Sequence, residues 1–408
     1  MIAYISPLLP KKTGIALYSQ HLINALQTAL NLGGEELAIF DDGVDDCNAY
    51  QTDYIAQEIL PLIFEEARRE PFSQFIYNFG NNPHYHLPVL QLLRQHPGIV
   101  VLHDTVLYYL IAGQGLGGVW QALLKTPNTQ PIDSIHEIGN DNPEHDILRY
   151  SAPAKHPFLH EVLARADSIV VHSKMAKEQV IKAGYTGSVH QVPLIDYQQA
   201  VNVDAALIEN STVIELVKQK ESQGTFIIGL FGFSGETKRS HSIFVALSGL
   251  ADELKSRVKL LIIGNDHYQA DIRATGITKL VVNSGYVSDA DYDQSMALCD
   301  LIINLRYPSM GETSAVQIQA MSAEKPSIVS NYGWFSELDD DTVHKITADE
   351  QEIEELQQAI TRMMCDEPYR LSIAQAAKRY VKKHHSPVQV AQQWMDIITE
   401  SRDLIESR

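Results

Sequence analysis

At 408 residues the chain exceeds what one hydrophobic core supports, since cores stop growing near about 250–300 residues, so two domains are expected. Its 45% hydrophobic and 20% charged residues are the balance of an ordinary water-facing protein. With 32 Lys plus Arg against 51 Asp plus Glu the net charge is −19, which argues against broad binding to nucleic acid or anionic lipid and leaves room for a local basic pocket. The three cysteines, Cys47, Cys299 and Cys365, share no metal-ligand spacing and fit a reducing compartment. No run of about 18 apolar residues occurs, and the opening MIAYISP reads as a strand rather than a leader, so a cytoplasmic protein without a transmembrane span is expected. Peripheral membrane contact stays open.

Short apolar runs of the kind buried on both faces recur along the chain. In the first half they are IAYIS (2–6), ELAIF (36–40), FIYNF (75–79), IVVLH (99–103), SIVVH (168–172) and VHQVP (189–193). Between them, 14–30 carries Ile15, Leu22, Leu26 and Leu30 at helical spacing, and 174–184 reads as a helix ending in Gly184. Residues 111–160 are rich in Gly, Pro, Asn and His, contain no convincing strand, and read as a functional loop or lid. A polar, helix-prone stretch at 197–223 is the natural linker. The second half then supplies strands at 225–232, 258–264, 279–285, 301–305 and 327–331, with helices at 241–254 and 315–323. Such alternation predicts parallel sheets covered on both faces, hence an α/β fold of two doubly wound, Rossmann-like domains. The expected bounds are 1–196 and 224–385, with 386–408 an amphipathic helix whose Val388, Val390, Ala391, Trp394, Ile397 and Ile398 line one face and pack back on the first domain.

Ligands of parallel sheets sit beyond the carboxyl ends of the strands, near helix N-termini. Four strand ends carry unusual chemistry. The loop before Gly14 holds two prolines and two lysines, and glycine there permits close approach of a ligand; a plain strand-to-helix turn explains it equally well. His103 and Asp104 end another strand. A neutral His can donate to a substrate oxygen, with Asp104 orienting it or taking a proton; a locally satisfied His and a helix-capping Asp is the plainer reading. His172 reads as structural. Lys238 and Arg239 lie just ahead of a helix, where cations oppose the helix dipole; a bound anionic diphosphate would account for them, and a solvated pair of charges is the plainer reading. Finally, RYPSMGETSAVQIQAM (306–321) places Arg306, Gly311, Glu312, Thr313 and Ser314 between a strand and a helix. Thr313 and Ser314 can cap that helix, and Glu312 can accept two sugar hydroxyls or simply favour the helix N-terminus. Several features are set aside: His136, His145, His156 and His160 lack zinc spacing, and the triplets DAD (289–291) and DDD (339–341) sit in polar turns, so no metal site is expected.

Taken in order, PLLPKKTGIALYS (7–19), VVLHD (100–104), ARADSIVVHS (164–173), VPLID (192–196), FGFSGETKRS (231–240), LLIIG (260–264) and PSMGETSAVQIQAMSAEKPSIVSNYGWFSEL (308–338) resemble the retaining glycosyltransferases of family 4. The resemblance implies the GT-B architecture, two Rossmann-like domains facing across a cleft. It implies transfer of a sugar from a nucleotide sugar with the anomeric configuration kept; glycan, lipid-linked and protein hydroxyl acceptors all fit, and the expected route needs no metal and no further cofactor. It assigns the diphosphate to Lys238 and Arg239, the donor sugar to Glu312, a place near the reacting sugar to His103, and the phosphate loop to Gly14. Glu337 would help shape the donor pocket. Two departures stand out. Phe233 occupies a place where the family often has an arginine, which moves one phosphate contact toward Arg306. The family's second glutamate, a ribose contact, corresponds to Gln319 when anchored on the following Ala–Met pair and to Ala320 when counted from Glu312. The alternatives are a catalytically weak GT-B protein that binds a nucleotide sugar or partner enzyme, a GT-B epimerase or phosphorylase, and a dinucleotide oxidoreductase; the last is disfavoured by the lack of GxGxxG after either first strand.

Overall fold

A computed structural model of the chain describes residues 1–33, 36–41, 55–197, 203–232, 236–264 and 267–406. The chain divides into two compact units, one comprising Met1–Ile195, Met310–Thr313 and Pro387–Arg408, the other Asp196–Ser309 and Ser314–Ser386. Each is a parallel α/β sheet with helices on its faces.

In the first unit the described strands are β1 (Ile2–Ile5), β2 (Leu37–Asp41), β3 (Ala56–Glu58), β4 (Gln74–Phe79), β5 (Gly98–Leu102), β6 (Ala166–Val171) and β7 (Ser188–Gln191). They form one sheet in the order β3-β2-β1-β4-β5-β6-β7. Every residue of β1, β4 and β5 is buried, which is why these strands read as unbroken apolar runs. β3 was not expected: an edge strand spelled AQE has no apolar run to announce it. The helix Pro387–Glu406 belongs to this unit, with Val390, Ala391, Trp394, Ile397 and Ile398 buried and Gln74 Nε2 donating to Ile398 O at 2.7 Å. Val388 departs from the expected apolar face and is exposed.

Residues 111–160 are not a structureless lid. They hold the helices Gly115–Lys125 and Pro131–Asn140 and short helical turns beyond. Val119, Ala122, Leu123, Ile138, Tyr150 and Phe158 join the first unit's core. Pro131 starts its helix at a position where no N–H is needed, instead of breaking it.

The second unit contains β8 (Phe226–Phe231), β9 (Val258–Ile263), β10 (Val281–Gly285), β11 (Leu301–Asn304), β12 (Ser327–Ser330) and β13 (His344–Ile346), in the order β10-β9-β8-β11-β12-β13. The stretch read as a linker ends in the helix Ser211–Gln223, which is part of this unit. Asn210 caps it by accepting from Thr212 N at 3.0 Å, and Val213, Leu216 and Val217 enter the core because their spacing puts them on one face. Among the described residues no helix is long and apolar enough to cross a membrane.

Candidate functional site

The second sheet reverses its strand order between β8 and β11, which are adjacent and parallel. Such a switch point opens a crevice beyond the carboxyl ends of the two strands, the usual ligand position in sheets of this kind. β8 is followed at once by Gly232, whose φ is +95°. That left-handed backbone favours glycine, and a β-carbon there would stand 2.6 Å from Lys238 Nζ, which lies across the strand end. Lys238 closes a short 3-10 turn, Glu236–Lys238, and its Nζ donates to Phe231 O at 3.1 Å.

The same turn receives the exit of β11. Tyr307 N donates to Thr237 O at 2.8 Å, and Arg306 Nη1 lies 3.5 Å from Thr237 Oγ1. The backbone of Arg306 is held from β12 through Ser330 Oγ at 2.9 Å. Lys238 and Arg306, 68 positions apart in sequence, are thus anchored on one turn at the switch point. Thr237, which makes the connection, was not singled out from the sequence; a threonine between a glycine loop and a lysine carries no distinguishing signal.

Arg239 has a different partner from the one expected. It takes a left-handed φ of +55°, and its guanidinium forms a forked ion pair with Glu352, Nε to Oε1 at 2.9 Å and Nη2 to Oε1 at 2.8 Å. The Glu352 side chain is 1% exposed, so it needs this cation, while the Arg239 side chain stays partly exposed. Ser314 is the N-cap of the helix Ala315–Ser322, accepting from Gln317 N at 3.3 Å and from Asn304 Nδ2 at 2.9 Å. Gln319 is buried and accepts from Tyr292 OH at 3.1 Å, while Ala320 is fully buried in the core. Glu337 ends the short helical turn Gly333–Glu337 after β12. Phe233 lies outside the described residues.

In the first unit, Gly14 opens the helix Gly14–Gly33, and a side chain there would meet open space, so packing within the chain does not require the glycine. Of the two lysines before it, Lys11 is buried and paired with Asp41 at 3.0 Å.

His103, just beyond β5, has both ring nitrogens facing side chains: Nε2 is 3.1 Å from Asn78 Oδ1 and Nδ1 is 3.2 Å from His172 Nε2. His172 Nδ1 in turn donates to Val192 O at 2.8 Å. Tyr18 packs edge-on against His103, with ring centroids 4.8 Å apart. Burial, reinforced by His172 and His86, pushes the His103 pKa well below the usual histidine range, so the ring is neutral. Asn78 Oδ1 and His172 Nε2, whose ring donates through Nδ1, are both acceptors, so the one N–H of neutral His103 serves only one of them, and His172 packs against the ring. Asp104 accepts from Asn81 N at 2.9 Å, fixing the turn after β4.

The segment Met310–Thr313 belongs to this first unit. Met310 O accepts from Thr105 N at 2.8 Å and Val106 N at 3.1 Å, and Glu312 Oε2 accepts from Met310 N at 2.6 Å. His103, Asp104, Gly311, Glu312 and Thr313 therefore share one unit, whereas Lys238, Arg239, Arg306, Ser314 and Gln319 share the other. Among the described residues no cluster of His, Cys, Asp and Glu is arranged to hold a metal ion. The triplet at 289–291 starts the helix Asp289–Leu298, capped by Ser288.

Residues 214–380 match the family described as glycosyl transferases group 1. No curated protein sequence matches the chain. Among solved structures, HepE of Anabaena in complex with UDP and glucose is similar at TM-score 0.67 and 15% identity, covering 98% of this chain and 100% of that one. A glycosyltransferase of Rickettsia africae matches at TM-score 0.64 and 14% identity, covering 98% of each chain. Sucrose-phosphate synthase of Thermosynechococcus elongatus matches at TM-score 0.61 and 16% identity, covering 100% of this chain and 99% of that one. At these identities the likeness shows the fold, which is that of GT-B glycosyltransferases, two Rossmann-like domains.

Proposed function

We propose that this protein is a retaining glycosyltransferase that moves a hexose from a nucleotide diphosphate sugar to a hydroxyl of a glycan, lipid-linked or protein acceptor in the cytoplasm. The observation that carries the reading is the anchoring of Lys238 and Arg306 on the Thr237 turn, at the switch point of a sheet that lies within the glycosyl transferases group 1 match. Two cations at a strand switch suit a diphosphate. HepE was solved with UDP-glucose, and a UDP-sugar is accordingly the first donor class to examine.

In this reading Lys238 and Arg306 bind the diphosphate, and the amides of the first turn capped by Ser314 add partial positive charge. Glu312 accepts hydroxyls of the sugar. As the bond between the anomeric carbon and the phosphate oxygen breaks, negative charge grows on the leaving diphosphate, and fixed cations stabilise that charge more strongly than they stabilise the bound donor. The acceptor oxygen forms the new bond on the same face, and its proton passes to the departing phosphate. No protein nucleophile and no metal is assigned a role. Arg239 is paired with Glu352, and Lys238 and Arg306 are therefore taken as the primary phosphate contacts.

The test is thermal stabilisation by UDP, GDP and ADP and their sugars, on wild type and on Lys238→Ala and Glu312→Ala. A ligand that binds only the native state raises the midpoint. The reading expects one nucleotide to stabilise wild type, Lys238→Ala to lose that effect, and Glu312→Ala to lose only the increment due to the sugar. A well-folded wild type that responds to none of them would overturn it in favour of a partner-binding role.

A further inference from the structure

Thr105 follows His103 and Asp104 after β5 and is 1% exposed. It was not among the residues singled out from the sequence. Its backbone N–H and its hydroxyl both address one atom, Met310 O, at 2.8 and 3.2 Å, and Val106 N reaches the same oxygen at 3.1 Å. The hydroxyl also contacts the side-chain amide of Gln179, from the helix Lys174–Lys182. One hydroxyl proton cannot serve two oxygens. Both contacts are satisfied when the Gln179 amide presents its N–H to Thr105 Oγ1 and the Thr105 proton goes to Met310 O.

Fixing that carbonyl fixes the plane of the Met310–Gly311 peptide. Gly311 then turns the chain at φ +88°, where a β-carbon would overlap the Thr105 hydroxyl. One residue later the Glu312 carboxylate folds back onto Met310 N at 2.6 Å. The Met310 side chain is seated against the first unit's core, so the segment is held on both sides.

We propose that Thr105 is a positioning residue for Glu312: its hydroxyl, relayed from Gln179, sets where the carboxylate stands and hence how the donor sugar is recognised. This deepens the proposed function and rests on its assignment of Glu312 to the sugar. Thr105 touches no substrate in this account; it acts through Met310 and Gly311.

The experiment compares wild type, Thr105→Val and Thr105→Ser by calorimetric titration with UDP and UDP-glucose, and with GDP and GDP-mannose, alongside hydrogen exchange of the Gly311–Thr313 amides. Valine keeps the shape of threonine and removes the hydroxyl; serine keeps the hydroxyl. The expected result is unchanged affinity of Thr105→Val for the bare nucleotide, a loss of about tenfold in the extra affinity due to the sugar, faster exchange at Gly311–Thr313, and restoration of both by serine. A merely structural role would lower nucleotide and sugar binding together. A Thr105→Val protein with the full sugar increment overturns the proposal while leaving the donor reading intact. A wild type that binds none of the four ligands overturns the donor reading and Thr105's recognition role with it, and unchanged exchange in Thr105→Val would then refute the latch as well.

Discussion

The two units share a construction, a parallel sheet whose chain starts near the middle and winds outward both ways, yet their strand ends are loaded differently. The second presents cations at its switch point, Lys238 and Arg306 on one turn. The first presents desolvated imidazoles, with His103, His172 and His86 packed around β4 and β5 and the Gly311–Glu312 segment latched beside them. Cations at strand ends are suited to binding negative charge. Buried imidazoles such as His86 and His103, which burial keeps neutral, hold shape and make that shape sensitive to acid. The same architecture can therefore carry a binding half and a holding half, and mutation should tell them apart.

The largest effect is expected at Lys238. Lys238→Ala should lower turnover by about 10²–10³-fold, as removal of one fixed charge-stabilising contact does, with little change in folding. Arg239→Ala should do the reverse. It strands the buried Glu352 carboxylate, so urea unfolding should show a loss of about 3 kcal/mol, while nucleotide affinity of the folded protein stays at the wild-type level. Equal loss of nucleotide affinity in both variants would erase the distinction drawn between the neighbouring cations.

Acid should strike the first unit hardest, since it holds most of the histidines shifted down by burial, with His344 of the second unit shifted the same way. Burial lowers the pKa of His86 to about 3 against an ordinary value of 6.5, and His103, His21, His156 and His190 are shifted the same way by burial. A histidine whose folded-state pKa is depressed binds more protons unfolded than folded. Its contribution is whole above about 6.5 and is lost as the pH falls toward the folded-state value. For His86 alone the loss between pH 6.5 and pH 5 is roughly 2 kcal/mol. Thermal midpoints measured across that interval should fall steeply for wild type and less steeply for His86→Gln; parallel slopes would contradict the assignment. The smallest effect belongs to Glu312→Ala, which should cost about tenfold in the affinity added by the sugar and leave the bare nucleotide untouched, as read by calorimetric titration.

The sheets were legible because strands buried on both faces must be apolar throughout: FIIGLF and GIVVL can hardly be anything else at that length and spacing. The edge strands AQE and HKI were not, since three half-polar residues carry no period. Residues 111–160 misled because glycine and proline were read as breakers when Gly115 and Pro131 begin helices. At the strand ends, the positions of Lys238 and Arg306 beside β8 and β11 could be read from residue type and place. What could not be seen was pairing: Arg239 with Glu352, 113 positions on, His103 with His172, and Thr105 with Met310, 205 positions on, are made by the tertiary fold alone. A residue's type says what it can bind, and only its neighbours say whether that capacity is already spent.

The most direct test of the central claim is turnover. Wild type, Lys238→Ala and Arg239→Ala are incubated with a panel of nucleotide sugars, and release of the nucleoside diphosphate is followed with and without glycan acceptors. The account predicts release from one donor by wild type and by the folded fraction of Arg239→Ala, and its near disappearance in Lys238→Ala. Release that survives in Lys238→Ala at the wild-type rate, or a folded wild type that releases nothing from any donor, would contradict it.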